Sequence, residues 1–138
     1  MRIMGLDVGD RRIGVALSDP TGILATALTV ILRTEDSSDL EEILRLIEEN
    51  SVECIVVGLP LSMDGSMSEQ AEKASSFAEE LSAHTGVPVK MWDERLSTSI
   101  ASKLMRDSGS NSRQIKERRD SAAAALILQG YLDHRDFE

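Results

Sequence analysis

The first third of the chain alternates between apolar and polar positions as short β-strands do. Two segments rich in Val, Ile and Leu, Ile3–Val8 and Ile13–Ser18, are separated by Gly9-Asp10-Arg11-Arg12, which predicts two strands joined in a hairpin. Asp19-Pro20-Thr21-Gly22 suits a type I turn, with Asp first, Pro second and Gly last. A third strand within Ile23–Leu32 then completes an antiparallel meander.

The middle of the chain alternates between helical and strand patterns. Ser38-Asp39-Leu40-Glu41 has the form of a capping box, and apolar residues recur at helical spacing up to about Asn50. Cys54–Val57 is an unbroken apolar run, as expected for a strand covered on both faces. A second helix is predicted from Ser68 to about His84, with Ala71, Ala74, Phe77, Ala78 and Leu81 on its apolar side.

The last third predicts one more strand and two helices. Val87–Trp92 makes the fifth strand, and Pro88 near its start favours an edge position. A short helix from Ser97 or Thr98 to about Arg106 and a mobile loop at Asp107–Ser112 follow, and a last helix is marked by Ala123, Ala124, Ile127, Leu128 and Tyr131. This order predicts an α/β fold whose five-stranded mixed sheet, an antiparallel meander followed by parallel strands, is flanked by helices.

Length and composition are consistent with that core. A chain of 138 residues with 41% hydrophobic content can form one compact domain over residues 1–138. The one cysteine, Cys54, lies in an apolar run, which favours a packed thiol in a reducing compartment. Because no apolar segment is long enough for a signal peptide or a membrane span, we expect a cytoplasmic protein with no membrane partner.

The overall charge is the main argument against a nucleic-acid partner. The formal net charge is −9, whereas affinity for phosphates normally comes from Lys and Arg. The charge is unevenly distributed, since residues 35–53 hold eight acids and one base and residues 90–120 hold eight bases and five acids. One face of the protein can therefore be locally positive.

Three acids are predicted to converge at one edge of the sheet. Asp7 ends a strand that should be central, Asp93-Glu94 follows the fifth strand, and Asp120 begins the apolar stripe of the last helix. Parallel strands deliver their carboxyl ends to the same edge of a sheet, where ligands commonly bind. Each acid also has a purely structural interpretation: Asp7 as a turn cap, Glu94 as the partner of Arg95, and Asp120 as a favourable charge at a helix N-terminus.

Such a cluster indicates a site for hard divalent cations. Acids that meet without enough basic partners repel one another, and Mg²⁺ or Mn²⁺, which prefer oxygen ligands, would relieve the repulsion. We therefore expect Asp7, Glu94 and Asp120 to bind metal and to be the catalytic residues of phosphodiester hydrolysis, with no side-chain nucleophile required. His84 and His134 lack zinc-ligand spacing and are expected at the surface.

Basic residues flank the proposed acids in this otherwise acidic chain. The candidates for contacting substrate phosphates are Arg11, Arg12, Arg95, Lys116 and Arg119. Phosphate contacts position a nucleic acid without identifying it, so these residues do not distinguish RNA from DNA. The alternative for the group near Asp120 is the solvated start of a helix.

Four motifs, in order along nearly the whole chain, resemble the YqgF/RuvX family. They are Asp7-Val8-Gly9-Asp10-Arg11-Arg12-Ile13-Gly14-Val15-Ala16, Gly58-Leu59-Pro60 with Met63-Asp64-Gly65, Asp93-Glu94-Arg95-Leu96-Ser97-Thr98, and Asp120 with Ala123-Ala124 and Ile127-Leu128. The resemblance implies an RNase H-like fold, catalytic acids at Asp7, Glu94 and Asp120, and a nuclease described both as a Holliday junction resolvase and as the enzyme that matures the 5′ end of pre-16S rRNA. Arg11 stands where the family often has Lys, and Ser62 where Asn is common.

Two other functions remain open at this point. Asp7-Val8-Gly9 followed by a second strand also resembles the first phosphate loop of ATP-binding proteins of the actin and sugar-kinase superfold, although that architecture needs two lobes. A non-catalytic nucleic-acid-binding module would agree with the net acidity but leaves three converging acids unexplained. The sequence favours a precursor rRNA or branched DNA as the partner of a monomer or homodimer, without choosing between them.

Overall fold

The computed structural model of the protein describes residues 1–94 and 112–135, and for residues 112–121 the backbone alone. The strands are β1 (Ile3–Val8), β2 (Arg12–Ser18), β3 (Ala25–Leu32), β4 (Cys54–Leu59) and β5 (Val89–Asp93). The helices are α1 (Ser38–Glu49), α2 (Glu69–His84) and α3 (Ser112–Arg135). The short helix predicted from residue 97 or 98 to about 106 lies outside the described residues. So does the predicted loop, except for Ser112, which begins α3.

The five strands form one mixed sheet in the order β3-β2-β1-β4-β5. β1 pairs antiparallel with β2 and β2 with β3, whereas β4 is parallel to β1 and β5 is parallel to β4. The predicted meander followed by parallel strands is confirmed, as is the edge position of β5. The carboxyl ends of β1, β4 and β5 consequently lie together at one end of the strands, which we call the carboxyl edge.

Strand alternation divides the core into two halves. On one face, side chains of β1, β2 and β4 pack against α1 and α2. On the other face, α3 packs through Ala124, Ile127, Leu128 and Leu132 against Ile3, Ala16, Cys54 and Val56. Cys54 is a buried free thiol, as predicted. Within the described ranges, no helix combines the length and apolar character needed to cross a membrane.

The start of α1 differs from the predicted capping box. Ser37 precedes the helix with a left-handed φ of 69° and makes no side-chain cap, and Ser38 is already helical. Instead, the carboxylate of Asp36 accepts from the Ser38 backbone N–H at 3.0 Å, and the Thr34 hydroxyl accepts from that of Asp39 at 3.1 Å. The capping-box prediction is therefore wrong, because the Glu41 N–H that Ser38 would cap donates to the Ser37 carbonyl at 3.1 Å.

Candidate active site

Asp7 lies on the α3 face of the sheet, half-buried near the carboxyl end of β1. It is two residues beyond Gly5 on the same face, and its backbone is paired with Gly14 of β2. The hairpin that follows is closed by a backbone hydrogen bond in which Gly9 N–H donates to the Arg12 carbonyl at 2.8 Å. The Gly9 N–H therefore has a backbone acceptor and does not depend on the Asp7 carboxylate.

Glu94 follows β5 directly, and its side chain crosses the α3 face of β4 at Gly58. A β-carbon built on Gly58 would lie 3.0 Å from Glu94 Cδ and 2.6 Å from Ile127 Cδ1. The Glu94 carboxyl group therefore occupies the space that any larger residue at position 58 would fill. Because β4 lies between β5 and β1, Glu94 extends across the sheet toward Asp7.

Electrostatics join these two acids in one site. The pKa of Glu94 is raised to about 7, first by burial of its carboxyl group and then by the negative charges of Asp7 and Asp93. A buried carboxyl group next to other acids is hard to ionise, because the charged form loses hydration and meets like charge. A cation between Asp7 and Glu94 would reverse both effects.

The backbone of α3 carries position 120 toward the same edge. Its C-terminal end lies at the opposite edge of the sheet, where Arg135 Nη2 donates to the Gly22 carbonyl at 3.1 Å. Farther back along the helix, Ala124 and Leu128 contact Gly5. Position 120 lies about 6 Å before Ala124 along the helix axis, and Asp7 lies about 7 Å beyond Gly5 along β1. The Asp120 side chain is outside the described part, so its convergence with Asp7 and Glu94 stays a prediction.

The structure describes the side chains of two of the five basic candidates, Arg11 and Arg12. Arg12 is the half-buried first residue of β2, and alternation from Ile13 puts it on the α3 face with Asp7. Arg11 is exposed at the tip of the hairpin. Arg95 lies outside the described residues, as do the side chains of Lys116 and Arg119. The contacts of all five basic residues with substrate remain predictions.

Two glycines that the sequence analysis did not single out shape this site. A β-carbon on Gly5 would lie 2.7 Å from Leu128 Cβ and 3.0 Å from the Ala124 carbonyl oxygen, so Gly5 allows α3 to approach β1 closely. Gly58 makes room for the Glu94 carboxyl group in the same way. A glycine inside an apolar strand is the available signal, because it commonly marks a close approach of another group.

The ligand chemistry at this edge is that of a hard cation. Asp7, Asp93 and Glu94 offer only carboxylate oxygens, and oxygen donors suit Mg²⁺ and Mn²⁺. No group of three potential His, Cys, Asp or Glu ligands occurs among the residues whose side chains are described, so a third ligand would have to come from elsewhere, as Asp120 would. His84 and His134 are exposed, as predicted.

Comparison with known proteins agrees with this geometry. The family model for RuvX, described as Holliday junction resolvase, matches residues 1–134. This chain belongs to the RuvX family and is a nuclease. Relatives named "Putative pre-16S rRNA nuclease" are 48% identical in Desulforamulus reducens and 44% identical in Clostridium botulinum, each over 96% of this chain and 97% of the relative.

Solved structures of resolvases share the fold at low sequence identity. Thermus thermophilus RuvC in complex with Holliday junction substrate superposes with a TM-score of 0.61 at 14% identity, covering 99% of this chain and 96% of that one. Fowlpox virus resolvase with Holliday junction DNA gives a TM-score of 0.60 at 9% identity, covering 98% and 99%. The fold is therefore RNase H-like, as the sequence resemblance implied.

Proposed function

We propose that this nuclease is a metal-dependent endonuclease in which Asp7, Glu94 and Asp120 hold Mg²⁺ or Mn²⁺ against the scissile phosphate. The observation that carries the proposal is the burial of the Glu94 carboxyl group against Gly58 at the carboxyl edge, where burial and the negative charges of Asp7 and Asp93 raise its pKa to about 7. Two acids held together in this way favour a cationic ligand between them. A divalent ion bound there would polarise the phosphoryl group and lower the pKa of a bound water.

The side chains of this chain would have three tasks in that reaction. Asp7, on a central strand, would give a rigid ligand, and Glu94 would span the width of β4 from the edge strand. Asp120 would close the ligand set from α3. Arg11, Arg12, Arg95, Lys116 and Arg119 would bind the phosphates on either side, which holds the scissile bond in position and offsets repulsion by the acidic surface.

The substrate proposed is a precursor of 16S rRNA, cut during maturation of its 5′ end in the cytoplasm. Support comes from the names of relatives that match at 44–48% identity over 96% of this chain. The description of the family as Holliday junction resolvase favours branched DNA as the second candidate. Either substrate could be cut by a monomer or a homodimer.

One assay tests the reaction and separates the substrates. Purified protein is incubated with Mg²⁺, Mn²⁺ or excess chelator, on a precursor rRNA fragment and on a four-way DNA junction, and the product ends are mapped. We expect metal-dependent cuts at a defined position of the rRNA fragment. Undiminished cleavage in chelator would overturn the metal assignment, and metal-dependent cutting of the junction alone would reassign the substrate. Binding without any cleavage would indicate the non-catalytic module.

Asp120 is tested through the metal response of stability. A ligand that binds only the folded state stabilises it by about 2.7 kcal/mol when present at 100 times its Kd. Asp120→Asn should therefore abolish cleavage and reduce the rise in Tm caused by Mg²⁺, while the metal-free protein stays at least as stable as wild type. Asp133→Asn, about 20 Å along the same helix, is the matched control and should keep the full metal response. An active Asp120→Asn variant with an unchanged response would contradict the assignment.

A further inference from the structure

A second cluster of charged residues lies on the other side of the β1–β2 hairpin from the acids. The basic residues Arg11, Arg33 and Lys73 line an open cleft of about 600 Å³ together with two acids, Asp10 and Glu35. The side chains that line this basic cleft carry one more positive than negative charge, although Asp39 and Glu69, just outside the lining, pair with Arg33 and Lys73. Arg33 and Lys73 were not among the candidate residues of the sequence analysis, because they lie on different elements and meet only in the folded chain.

Asp10 is the point on which these cations converge. Lys73 Nζ lies 2.8 Å from Asp10 Oδ1, and the two side chains are 44% and 62% exposed. Hydrogen bonding and the charge of Lys73, followed by the charges of Arg33 and Arg11, lower the pKa of Asp10. Exposed ion pairs contribute little to stability, so holding the fold together is a weak explanation for this arrangement.

Arg33 is held in place by three contacts. Its Nε lies 3.2 Å from the carboxylate of Asp39, which is only 5% exposed, and Nη1 donates to the Gly9 carbonyl at 3.1 Å. The guanidinium also lies over the ring of Phe77, 5.2 Å from its centroid. A cation fixed before any ligand arrives loses less side-chain freedom on binding than a free one does.

We propose that the basic cleft is a phosphate subsite that binds the substrate backbone next to the carboxyl edge, and that Asp10 occupies the place of a phosphate in the free protein. The inference rests on the proposed nuclease function and extends it to Arg33, which follows β3, and Lys73 on α2. Phosphodiesters are recognised by Arg and Lys. The Asp10 carboxylate carries one negative charge, as a phosphodiester does, and lies among the same cations. When nucleic acid binds, one of its phosphates then replaces the Asp10 carboxylate beside these cations.

The chain also limits how far the subsite lies from the cut. Asp10 follows Asp7 by three positions, so their Cα atoms lie at most about 11 Å apart. Successive nucleotides advance about 3.4 Å along a strand of duplex, so the bound phosphate lies within a few nucleotides of the scissile one. Shortening the substrate to within this distance on the relevant side removes the contact.

Removing the acid and the base of the Asp10–Lys73 ion pair in separate variants tests the proposal. If the cleft binds phosphate, Asp10→Asn removes a competing charge and should tighten binding of single-stranded RNA about fivefold, the effect of one charge at contact distance in water. Lys73→Ala should weaken binding and flatten its salt dependence by about 0.7 in the logarithmic slope. A purely structural pair predicts no gain from Asp10→Asn, since both variants break the same contact.

Binding is measured in chelator by fluorescence anisotropy over a salt series, and cleavage is measured in Mg²⁺. We expect KM to fall for Asp10→Asn and rise for Lys73→Ala, with little change in kcat. Glu79→Gln, exposed farther along α2, and Arg45→Gln, on the outer side of α1, are matched controls for the loss of one acid and one base. Affinity changes no larger than those of the controls would overturn the subsite.

Two further comparisons show which phosphate is bound and separate failure of the cleft from failure of the proposed function. RNAs with a 5′-hydroxyl and a 5′-phosphate should gain equally from Asp10→Asn, and a gain confined to the 5′-phosphate form would overturn the backbone assignment in favour of end recognition. Wild-type protein that neither binds nor cleaves RNA or DNA would reject the proposed function itself. Wild-type cleavage with unresponsive variants would reject the cleft alone.

Discussion

The two faces of the sheet differ in what their side chains can do. Facing α1 and α2, β1, β2 and β4 present large aliphatic residues: Met4, Leu6, Val8, Ile13, Val15, Ile55 and Val57. Facing α3, the same strands present mostly small or polar residues: Gly5, Asp7, Arg12, Gly14, Ala16, Ser18, Cys54 and Gly58, with Ile3 and Val56 as the larger apolar members. The first face buries more apolar surface per position, whereas the second leaves room for a helix at close range and for carboxylates.

This difference separates stability from chemistry within one sheet. Burial of large aliphatic side chains is the dominant favourable contribution to folding, and the α1/α2 face concentrates it. The α3 face can then hold Asp7 and Glu94 in a partly buried site, although ionising Glu94 there is unfavourable. The cost is tolerable because the opposite face of the same strands stabilises the sheet.

Adjacent residues of β1 give the largest expected contrast between the faces. Asp7→Asn should lower cleavage at least about 1000-fold, which corresponds to about 4 kcal/mol in the barrier, and leave unfolding nearly unchanged in chelator. Leu6→Ala should destabilise the fold by about 2–5 kcal/mol, because it removes buried atoms and leaves a cavity. The folded fraction of Leu6→Ala should still cleave. Unfolding in urea and cleavage by each variant are the measurements.

Any of three outcomes would contradict this contrast. Substantial activity in Asp7→Asn would remove this acid from the reaction, and a large loss of stability in the same variant would give it a structural role. A Leu6→Ala protein that is folded by circular dichroism yet inactive would show that the two faces are coupled.

Glu94 should make the metal-free protein less stable as pH rises. The pKa of Glu94 in the folded state, about 7, lies above the ordinary value of 4.5, so the folded state binds the proton more tightly than the unfolded state. Stability is then highest below about pH 4.5 and falls until about pH 7. A shift of this size corresponds to at most about 3 kcal/mol.

Glu94→Gln should therefore flatten the dependence of unfolding free energy on pH and be more stable than wild type at pH 8 in chelator. Glu79→Gln removes the same charge from an exposed helix face and is the control for the general effect of acidity. Urea unfolding at pH 5 and pH 8 gives the comparison. Identical pH dependence in wild type and Glu94→Gln would mean that Glu94 is not buried among negative charges.

Much of the fold follows from local patterns in the sequence. Alternating apolar residues predict the hairpin and the meander, and Pro88 predicts the edge position of β5, because these signals depend on near neighbours in the chain. The approach of Glu94 to Asp7 was predicted from the general rule for parallel strands. The start of α1 was not, since Ser38 is already helical and the Glu41 N–H that it would cap donates to the Ser37 carbonyl.

Contacts between distant residues account for what the sequence did not predict. Gly58 matters because Glu94 and Ile127 both come within 3.0 Å of a β-carbon at its position, and neither is near it in sequence. Arg33 and Lys73 are 40 residues apart and share a cleft only through Asp10. Such features depend on the assembled sheet, so no local pattern reports them.

Gly58→Ala adds one methyl group to the α3 face and should impair both the packing of α3 and the position of the Glu94 carboxylate. The added methyl group meets Ile127 Cδ1 at 2.6 Å and Glu94 Cδ at 3.0 Å, so both side chains must move. Overpacking of this kind costs about 1–3 kcal/mol, and a displacement of about 1 Å at a catalytic group can lower turnover about 100-fold. We expect a moderate loss of stability with a fall in kcat that is larger than any change in KM.

Gly86→Ala is the matched control, because a β-carbon at that position meets nothing within 4 Å and its backbone needs no left-handed conformation. There the substitution should leave cleavage unchanged and stabilise the fold by about 0.4–1 kcal/mol, since alanine restricts the unfolded chain. If Gly58→Ala behaves like Gly86→Ala in both assays, the α3 face has more room than the contacts indicate. If Gly58→Ala loses stability but keeps full kcat, Ile127 has moved and Glu94 has not, which would show that the carboxylate does not depend on a glycine beneath it.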